Sequence, residues 1–189
     1  MFGIVLIALI VVFVVLAIGA YNKLISLKNQ VANAWKQIDV QLKRRHDLIP
    51  NLVNTVKGAM DYERGTLEAV IAARNKAVSA TGVKDTARAE GELTQALGRL
   101  FALTEAYPEL KANQNVLQLQ EELSSTENKV GFSRQFYNDV ATQYNTRQAT
   151  FPTLLIAGLA KASPAELWEI EDAAERAVPK VDLSLNKPQ

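Results

Sequence analysis

The chain opens with the uncharged apolar stretch FGIVLIALIVVFVVLAIGA at residues 2–20. At a rise of 1.5 Å per residue this stretch forms a helix of about 28 Å, close to the hydrocarbon thickness of a bilayer. The next Pro in the chain is Pro50, so nothing interrupts the helix between the apolar stretch and the amphipathic pattern that follows. We therefore predict a transmembrane helix from Phe2 to Ala20 that continues directly into a polar body.

A secretory signal peptide would also begin with an apolar stretch. Such a leader has a basic start and an apolar core of about 7–15 residues. No basic side chain precedes this stretch, and it is longer than such a core. The small residues at positions 17–20 do offer a cleavage site. We favour an uncleaved anchor, and the cleaved leader is the alternative.

Basic residues are concentrated next to the apolar stretch. Residues 21–60 contain seven Lys or Arg and two Asp, whereas the rest of the chain has more acidic than basic residues. Basic flanks are retained in the cytoplasm, so Lys23, Lys28 and Lys36 predict a single-pass protein of the cell membrane with a cytoplasmic body. In a cell with two membranes this would be the inner one. Only one flank can be counted, so a periplasmic or external body is the alternative.

The composition excludes several classes of chemistry. The 189 residues include no Cys and one His, His46, and the nine Gly are scattered. Disulfides, thiolate catalysis, Cys-based zinc sites and the usual catalytic triads are therefore excluded, and no Gly-rich phosphate loop is present. The net charge of +1 does not suggest nucleic acid as a partner. We predict no enzyme, no catalytic residue, no metal site and no cofactor.

The spacing of the apolar residues predicts an all-α body. After residue 20 they recur at steps of three and four, without strand-like alternation. The first stripe extends to about residue 80, and Pro50 within it predicts either a kink or a hairpin turn. A second helix of about 20 residues follows Thr81-Gly82, with Gly82 as a C-cap of the first helix and Asp85 or Thr86 as the new N-cap. A third long helix is predicted over about 109–147.

These helices predict an antiparallel bundle of three to four long helices, with the N-terminal transmembrane helix continuous with the first bundle helix. We divide the chain into an anchor at 1–22, a bundle at 23–150 and a terminal region at 151–189. In the terminal region, residues 153–160 are predicted to cover one end of the bundle. The capping box Ser163-Pro164-Ala165-Glu166 predicts a short acidic helix over 164–177, followed by a frayed tail.

Some side chains are candidates for interactions within or between chains. The basic triplet Lys43-Arg44-Arg45 is interpreted as a solvated or ion-paired helix face. Glu127 is interpreted as a partner of Arg44, Arg45 or Arg74 in an ion pair that fixes helix register. Tyr side chains followed by Asn suit helix interfaces or contacts with a partner chain. The acidic helix is predicted to dock on residues 36–45 of the same chain or a neighbour. The candidate interaction residues are Lys43, Arg44, Arg45, Glu127, Tyr137, Tyr144, Glu169, Glu171 and Asp172.

A general acid/base or cation site formed by Glu121, Glu122 and Glu127 is the minor alternative to the structural ion pair. His46 is interpreted as a surface or partly buried structural residue, because the Glu-x-x-His motif of di-iron bundles is absent.

Several strings occur in an order and spacing that resemble the LemA family of bacterial membrane proteins. They are AW at 34–35, IDVQLKRR at 38–45, DLIPNLV at 47–53, EAYPELKAN at 105–113, Leu123 with TENK at 126–129, RQ at 134–135, YN at 137–138, YNT at 144–146 and FP at 151–152. The resemblance covers about residues 20–152. It implies an N-terminal transmembrane helix with a short external N-terminus, and a cytoplasmic helical bundle.

The family that the chain resembles has no established enzymatic activity, so the resemblance assigns no catalytic residue. Some members of the family look involved in forming or organising bacterial membranes, and others occur alongside membrane proteases, so the resemblance implies a role of this kind. We therefore predict a non-enzymatic, membrane-anchored scaffold that self-associates as a homo-oligomer on the lipid bilayer. The alternative is an adaptor that presents membrane-protein partners, such as a protease, without large self-assembly.

Overall fold

The computed structural model describes residues 1–169. Its helices are α1 (Phe2–Val56), α2 (Arg64–Ser79), α3 (Val83–Thr104), α4 (Pro108–Lys111) and α5 (Gln114–Ala149), with short 3₁₀ turns at Asp61–Glu63 and Thr153–Leu155. The described part of the chain contains no strand. The all-α fold class is thus confirmed.

Helix α1 joins the apolar stretch to the folded body. It is 55 residues long, and every side chain before Ala17 is exposed. Burial begins at Ala20 and recurs at Leu24 and Leu27, because these side chains turn towards the rest of the chain. Within residues 1–169, α1 is the one helix long and apolar enough to cross a membrane. The predicted continuity between the apolar stretch and the first helix of the body is observed.

Helix α1 passes through Pro50 and ends at Val56. The prediction that the first helix extends to about residue 80 is wrong, because the chain turns at residues 57–63 and α2 returns along α1. The Arg74 Nε–H donates to the His46 carbonyl at 3.0 Å. That carbonyl would normally accept from the N–H of residue 50, which Pro50 lacks. A guanidinium from α2 therefore replaces the missing donor, and Pro50 is tolerated inside the helix.

Helices α2 and α3 form a second hairpin. The turn between them contains Gly82 at φ 81°, a left-handed conformation that Gly adopts without steric cost. Gly82 is the N-cap of α3, so the predicted C-cap role of Gly82 and the predicted N-cap roles of Asp85 and Thr86 are wrong. Both helices contribute to the main core with the end of α1. The large buried residues of this core are Ile49, Leu52, Val53, Val56, Met60, Leu67, Val70, Leu93, Leu97 and Leu100, to which α4 and α5 add Leu110, Val116 and Leu123.

Helix α5 lies antiparallel to the first half of the body portion of α1. The Trp35 and Tyr137 rings meet edge to face at 5.5 Å, and Tyr144 packs with Leu24 and Leu27 nearer the apolar stretch. The third helix that the sequence predicts over 109–147 is interrupted after α4. There the Asn113 side chain caps α5 by accepting from the backbone N–H of Asn115 at 2.9 Å.

The chain after α5 folds back on itself. A cis peptide joins Phe151 and Pro152, and a series of turns leads to Ala162. Residues 162–169 are not helical, so the helix predicted from the Ser163–Glu166 capping box is wrong there. The remainder of that predicted helix, with Glu171 and Asp172, lies outside the described residues.

Candidate functional site

Residues 163–169, which we call the docked segment, lie along α5 and are held through their backbone. The Asn145 side chain donates to the Ala165 carbonyl and accepts from the Ala165 N–H, both at 2.8 Å. Asn138 makes the same pair of bonds with Trp168, at 2.9 and 2.8 Å. The backbone N–H and C=O groups of Ala165 and Trp168 are satisfied by side chains of α5 in place of bonds within a helix of their own, which explains why the local capping box does not form one.

The spacing of the two Asn residues matches an extended peptide. Asn138 and Asn145 are seven residues apart on α5, which is about 10.5 Å along a helix axis. Ala165 and Trp168 are three residues apart, which is about 9–10 Å in an extended chain. We call Asn138 and Asn145, with their bonds to the docked segment, the ladder. Gln148 orients one end of this ladder, since its Nε2 donates to Asn145 Oδ1 at 3.2 Å. Helix α5 therefore carries a built site for an extended peptide backbone.

Aromatic packing anchors the end of the docked segment. Trp168 is 4% exposed, and its ring lies 6.0 Å from Trp35. The Tyr137 hydroxyl donates to the Glu166 carbonyl at 2.7 Å. The Asn side chains bind only backbone groups, which any extended chain offers. The buried Trp168 side chain is therefore what distinguishes this segment from another extended chain.

Alkaline pH is expected to loosen the docked segment. Burial raises the pKa of the Tyr137 hydroxyl above its usual 10.0, and the nearby Glu166 raises it further. Because folding raises this pKa, the folded state favours the neutral Tyr137 hydroxyl, which is the form that donates. The stability that this hydroxyl contributes is complete below pH 10 and is lost as the pH rises through the raised pKa. The two Trp residues both lie in this cluster, so intrinsic fluorescence should shift to the red above pH 10. Tyr137→Phe should lack this transition, and an identical transition in that variant would contradict the assignment.

A buried charge cluster lies where α1, α3 and α5 approach each other. The Arg45 Nη1 donates to Glu90 Oε2 at 3.0 Å, and the other Glu90 oxygen contacts His46 Nε2. The Arg45 Nη2 donates to Thr94 at 2.9 Å and lies 3.8 Å from Glu127 Oε2. Arg45, His46 and Glu90 are all buried. Because a buried charge needs its partner, these contacts hold α3 in one register on α1.

Beside this cluster an open cleft of about 1060 Å³ separates α3 from α5, and we call it the α3–α5 groove. Gly91 and Gly131 line it, and a Cβ added at either would meet no atom within 4 Å. Phe132 also lines it and is 74% exposed. The groove walls carry charges of both signs, at Arg45, Arg88, Glu90, Glu92, Glu127, Arg134 and Asp139.

The structure separates the residues that the sequence groups as candidates. Of the basic triplet, Arg45 is buried, whereas Lys43 and Arg44 are exposed. Glu127 reaches Arg45, but its side chain is 53% exposed and Glu90 is the closer partner. Tyr137 and Tyr144 are both buried.

Most of the acidic helix that is predicted to dock on residues 36–45 lies outside the described residues, so that docking stays a prediction. The part that is described binds α5, and Trp168 packs on Trp35. Glu169 follows Trp168 at the end of the described residues.

Glu121, Glu122 and Glu127 do not form the acid/base or cation site that was the minor alternative. Glu121 is exposed, and Glu122 accepts from the neighbouring Gln118 at 3.3 Å. Within residues 1–169 no group of three or more His, Asp or Glu side chains is placed to hold a metal ion.

Three features of the site were not predicted from the sequence: Glu90, Thr94, and the hydrogen bonds of Asn138 and Asn145 to backbone groups. Glu90 lies on the apolar stripe of α3, three residues before Leu93, and a charge at such a position signals a buried ion pair. The seven-residue repeat of the Tyr-Asn pairs at 137–138 and 144–145 was the available signal for the ladder.

Comparison with known proteins places most of the body in one family. The LemA family model matches residues 34–183, which includes α2 to α5 and the docked segment. The chain belongs to the LemA family. The resemblance seen in the sequence motifs is thus confirmed, and this family is not a known family of enzymes.

Individual relatives agree with this assignment. The LemA-family chain is 29% identical over 148 residues to Protein LemA of Metamycoplasma hominis, covering 77% of this chain and 67% of the relative. It is 21% identical over 192 residues to Magnetosome protein MamQ 2 of Paramagnetospirillum magneticum, covering 88% of this chain and 71% of the relative. Magnetosome protein MamQ 1 of the same organism matches to the same extent.

Proposed function

We propose that this LemA-family chain is a non-enzymatic, membrane-anchored helical scaffold that self-associates at the bacterial cell membrane and organises it. The observation that carries the proposal is α1, in which an exposed apolar stretch continues without a break into the buried face of the body. In this proposal α1, α2, α3 and α5 act as one bundle with a cytoplasmic body, and the stiff helix transmits its orientation to the anchor. The two relatives named as magnetosome proteins support a role at membranes.

The proposed contact between copies uses the α3–α5 groove. Phe132 and Phe136 lie one turn apart on α5 and are 74% and 49% exposed. Large exposed apolar side chains beside a cleft are typical of interaction surfaces. Because the groove walls carry both charge signs, a second copy of the same chain presents complementary charges in a two-fold contact. Phe132 of each copy would then enter the groove of the other.

Filling the groove should reduce self-association without harming the fold. Gly91→Leu adds a side chain into open space and replaces a mid-helix Gly, which stabilises a helix by roughly 0.5–1 kcal/mol. We expect the detergent-extracted variant to give smaller particles by light scattering than the unmodified chain, with an equal or higher melting temperature.

Gly98→Leu is the matched control for this experiment. It lies on the same helix, also has open space around its Cβ and does not line the groove. It should be equally stabilised and retain its particle size. Equal particle sizes for the unmodified chain and both variants would exclude the groove as the contact.

The second candidate function is an adaptor that presents partner proteins at the membrane. The ladder of Asn138 and Asn145 favours it, because side chains that read only backbone could accept an extended segment of another protein. Cross-linking in cells separates the two functions: a ladder of self-adducts supports the scaffold, and a single foreign adduct supports the adaptor.

A further inference from the structure

Four large apolar side chains between α5 and the docked segment are exposed. Phe151, Leu154, Leu155 and Leu159 are 74%, 58%, 61% and 79% exposed. The sequence predicts that residues 153–160 cover one end of the bundle, and Thr153 and Ala160 are indeed buried. The four apolar side chains point outward instead. Such a concentration of exposed apolar surface marks a contact with something other than water.

We call this surface the membrane-facing cap (residues 151–159). Its position in the fold identifies what covers it. Ala160, which follows the cap directly, packs with Leu24, Leu27 and Tyr144, and the 3₁₀ turn Thr153–Leu155 contacts α1. Leu24 is four residues beyond Ala20, where burial of α1 begins, which is about 6 Å along the helix axis. The cap therefore lies beside the point at which the exposed apolar stretch enters the body.

The charges around the cap fit a lipid surface. Residues 1–38 and 140–165 contain no Asp or Glu. The same stretches contain the basic residues Lys23, Lys28, Lys36, Arg147 and Lys161, which anionic head groups attract. The described elements that meet at this end of the body thus combine apolar tips with basic surroundings, as interfacial membrane segments do.

We propose that the membrane-facing cap inserts into the interface of the same bilayer that holds the anchor. The anchor gives one attachment and the cap a second, about one helix diameter away, so the body is held at a fixed angle instead of rotating about α1. The inference rests on the membrane anchor of the proposed function and does not depend on self-association.

Single-cysteine labelling of the full chain tests this insertion, since the chain contains no Cys. Leu159→Cys and Leu154→Cys would carry an environment-sensitive fluorophore in vesicles of phosphatidylethanolamine and phosphatidylglycerol. Tyr62→Cys is the control, because Tyr62 is 99% exposed in the 3₁₀ turn beyond the far end of α1. We expect loss of iodide quenching and gain of quenching by doxyl-labelled lipid at both cap positions, and the reverse at position 62.

Two results would overturn the inference. Iodide quenching at both cap positions as strong as at position 62 would show that the cap faces water. Protection from iodide without quenching by doxyl lipid would show that protein, not lipid, covers the cap. Light scattering on the same labelled variants extracted in detergent separates this inference from the proposed function. Single-copy particles of a variant whose cap label is lipid-quenched in vesicles would retain the cap and contradict self-association.

Discussion

The double variant Asn138→Ala with Asn145→Ala should release the docked segment from α5. It removes the four side-chain hydrogen bonds to Ala165 and Trp168. At about 0.5–1.5 kcal/mol each, their loss weakens docking by roughly 2–6 kcal/mol. Trp168 would then leave its buried position against Trp35. We expect a red shift in tryptophan emission and faster proteolytic cleavage within residues 163–169, with α1 to α5 still helical by circular dichroism.

Asn128→Ala is the matched control for this variant. Asn128 lies on the same helix but is exposed, so its removal should leave emission and cleavage unchanged. If the double variant kept the emission spectrum and protease resistance of the unmodified chain, the ladder would not be what holds the segment.

Glu90→Ala should destabilise the body more than any exposed charge substitution. Arg45 and His46 would remain buried without their carboxylate partner, and breaking a buried pair in this way costs about 3–5 kcal/mol. We expect the free energy of unfolding, measured by urea denaturation of the detergent-solubilised chain, to fall by that amount. Glu90→Gln retains a hydrogen-bonding side chain and should lose less.

Glu92→Ala tests whether burial causes this effect. Glu92 is two residues away on α3 and pairs with Lys76, but the two side chains are 43% and 52% exposed. Because exposed pairs contribute about 0–1 kcal/mol, this variant should unfold almost as the unmodified chain does. Equal losses for Glu90→Ala and Glu92→Ala would contradict the assigned role of the buried cluster.

The sequence predicts the parts of the fold that depend on local spacing. The length and composition of residues 2–20 and the apolar steps after Ala20 predict the continuous helix α1, which the structure contains. The same spacing could not reveal the turn at 57–63. The end of α1 and helix α2 face one common core, so the apolar phase continues across the turn although the chain reverses.

The docked segment shows where local signals fail. Ser163-Pro164-Ala165-Glu166 has every feature of a helix start, but its backbone is bound by side chains from α5. Tertiary hydrogen bonds from residues 20 or more positions earlier therefore override the local preference.

The buried charge cluster depends on the same kind of distant contact. Arg45 and Glu90 are far apart in the sequence, and only the approach of α3 to α1 makes Arg45 the buried member of its triplet.

The central claim is that this LemA-family chain works as a self-associating scaffold in the membrane. Its most direct test is the number of copies in each particle, counted by electron microscopy of the unmodified full chain in membrane-derived particles that retain native lipid. We predict particles with two or more copies related by contacts along α5 and the α3–α5 groove. Particles with one copy each at all protein densities would contradict the claim.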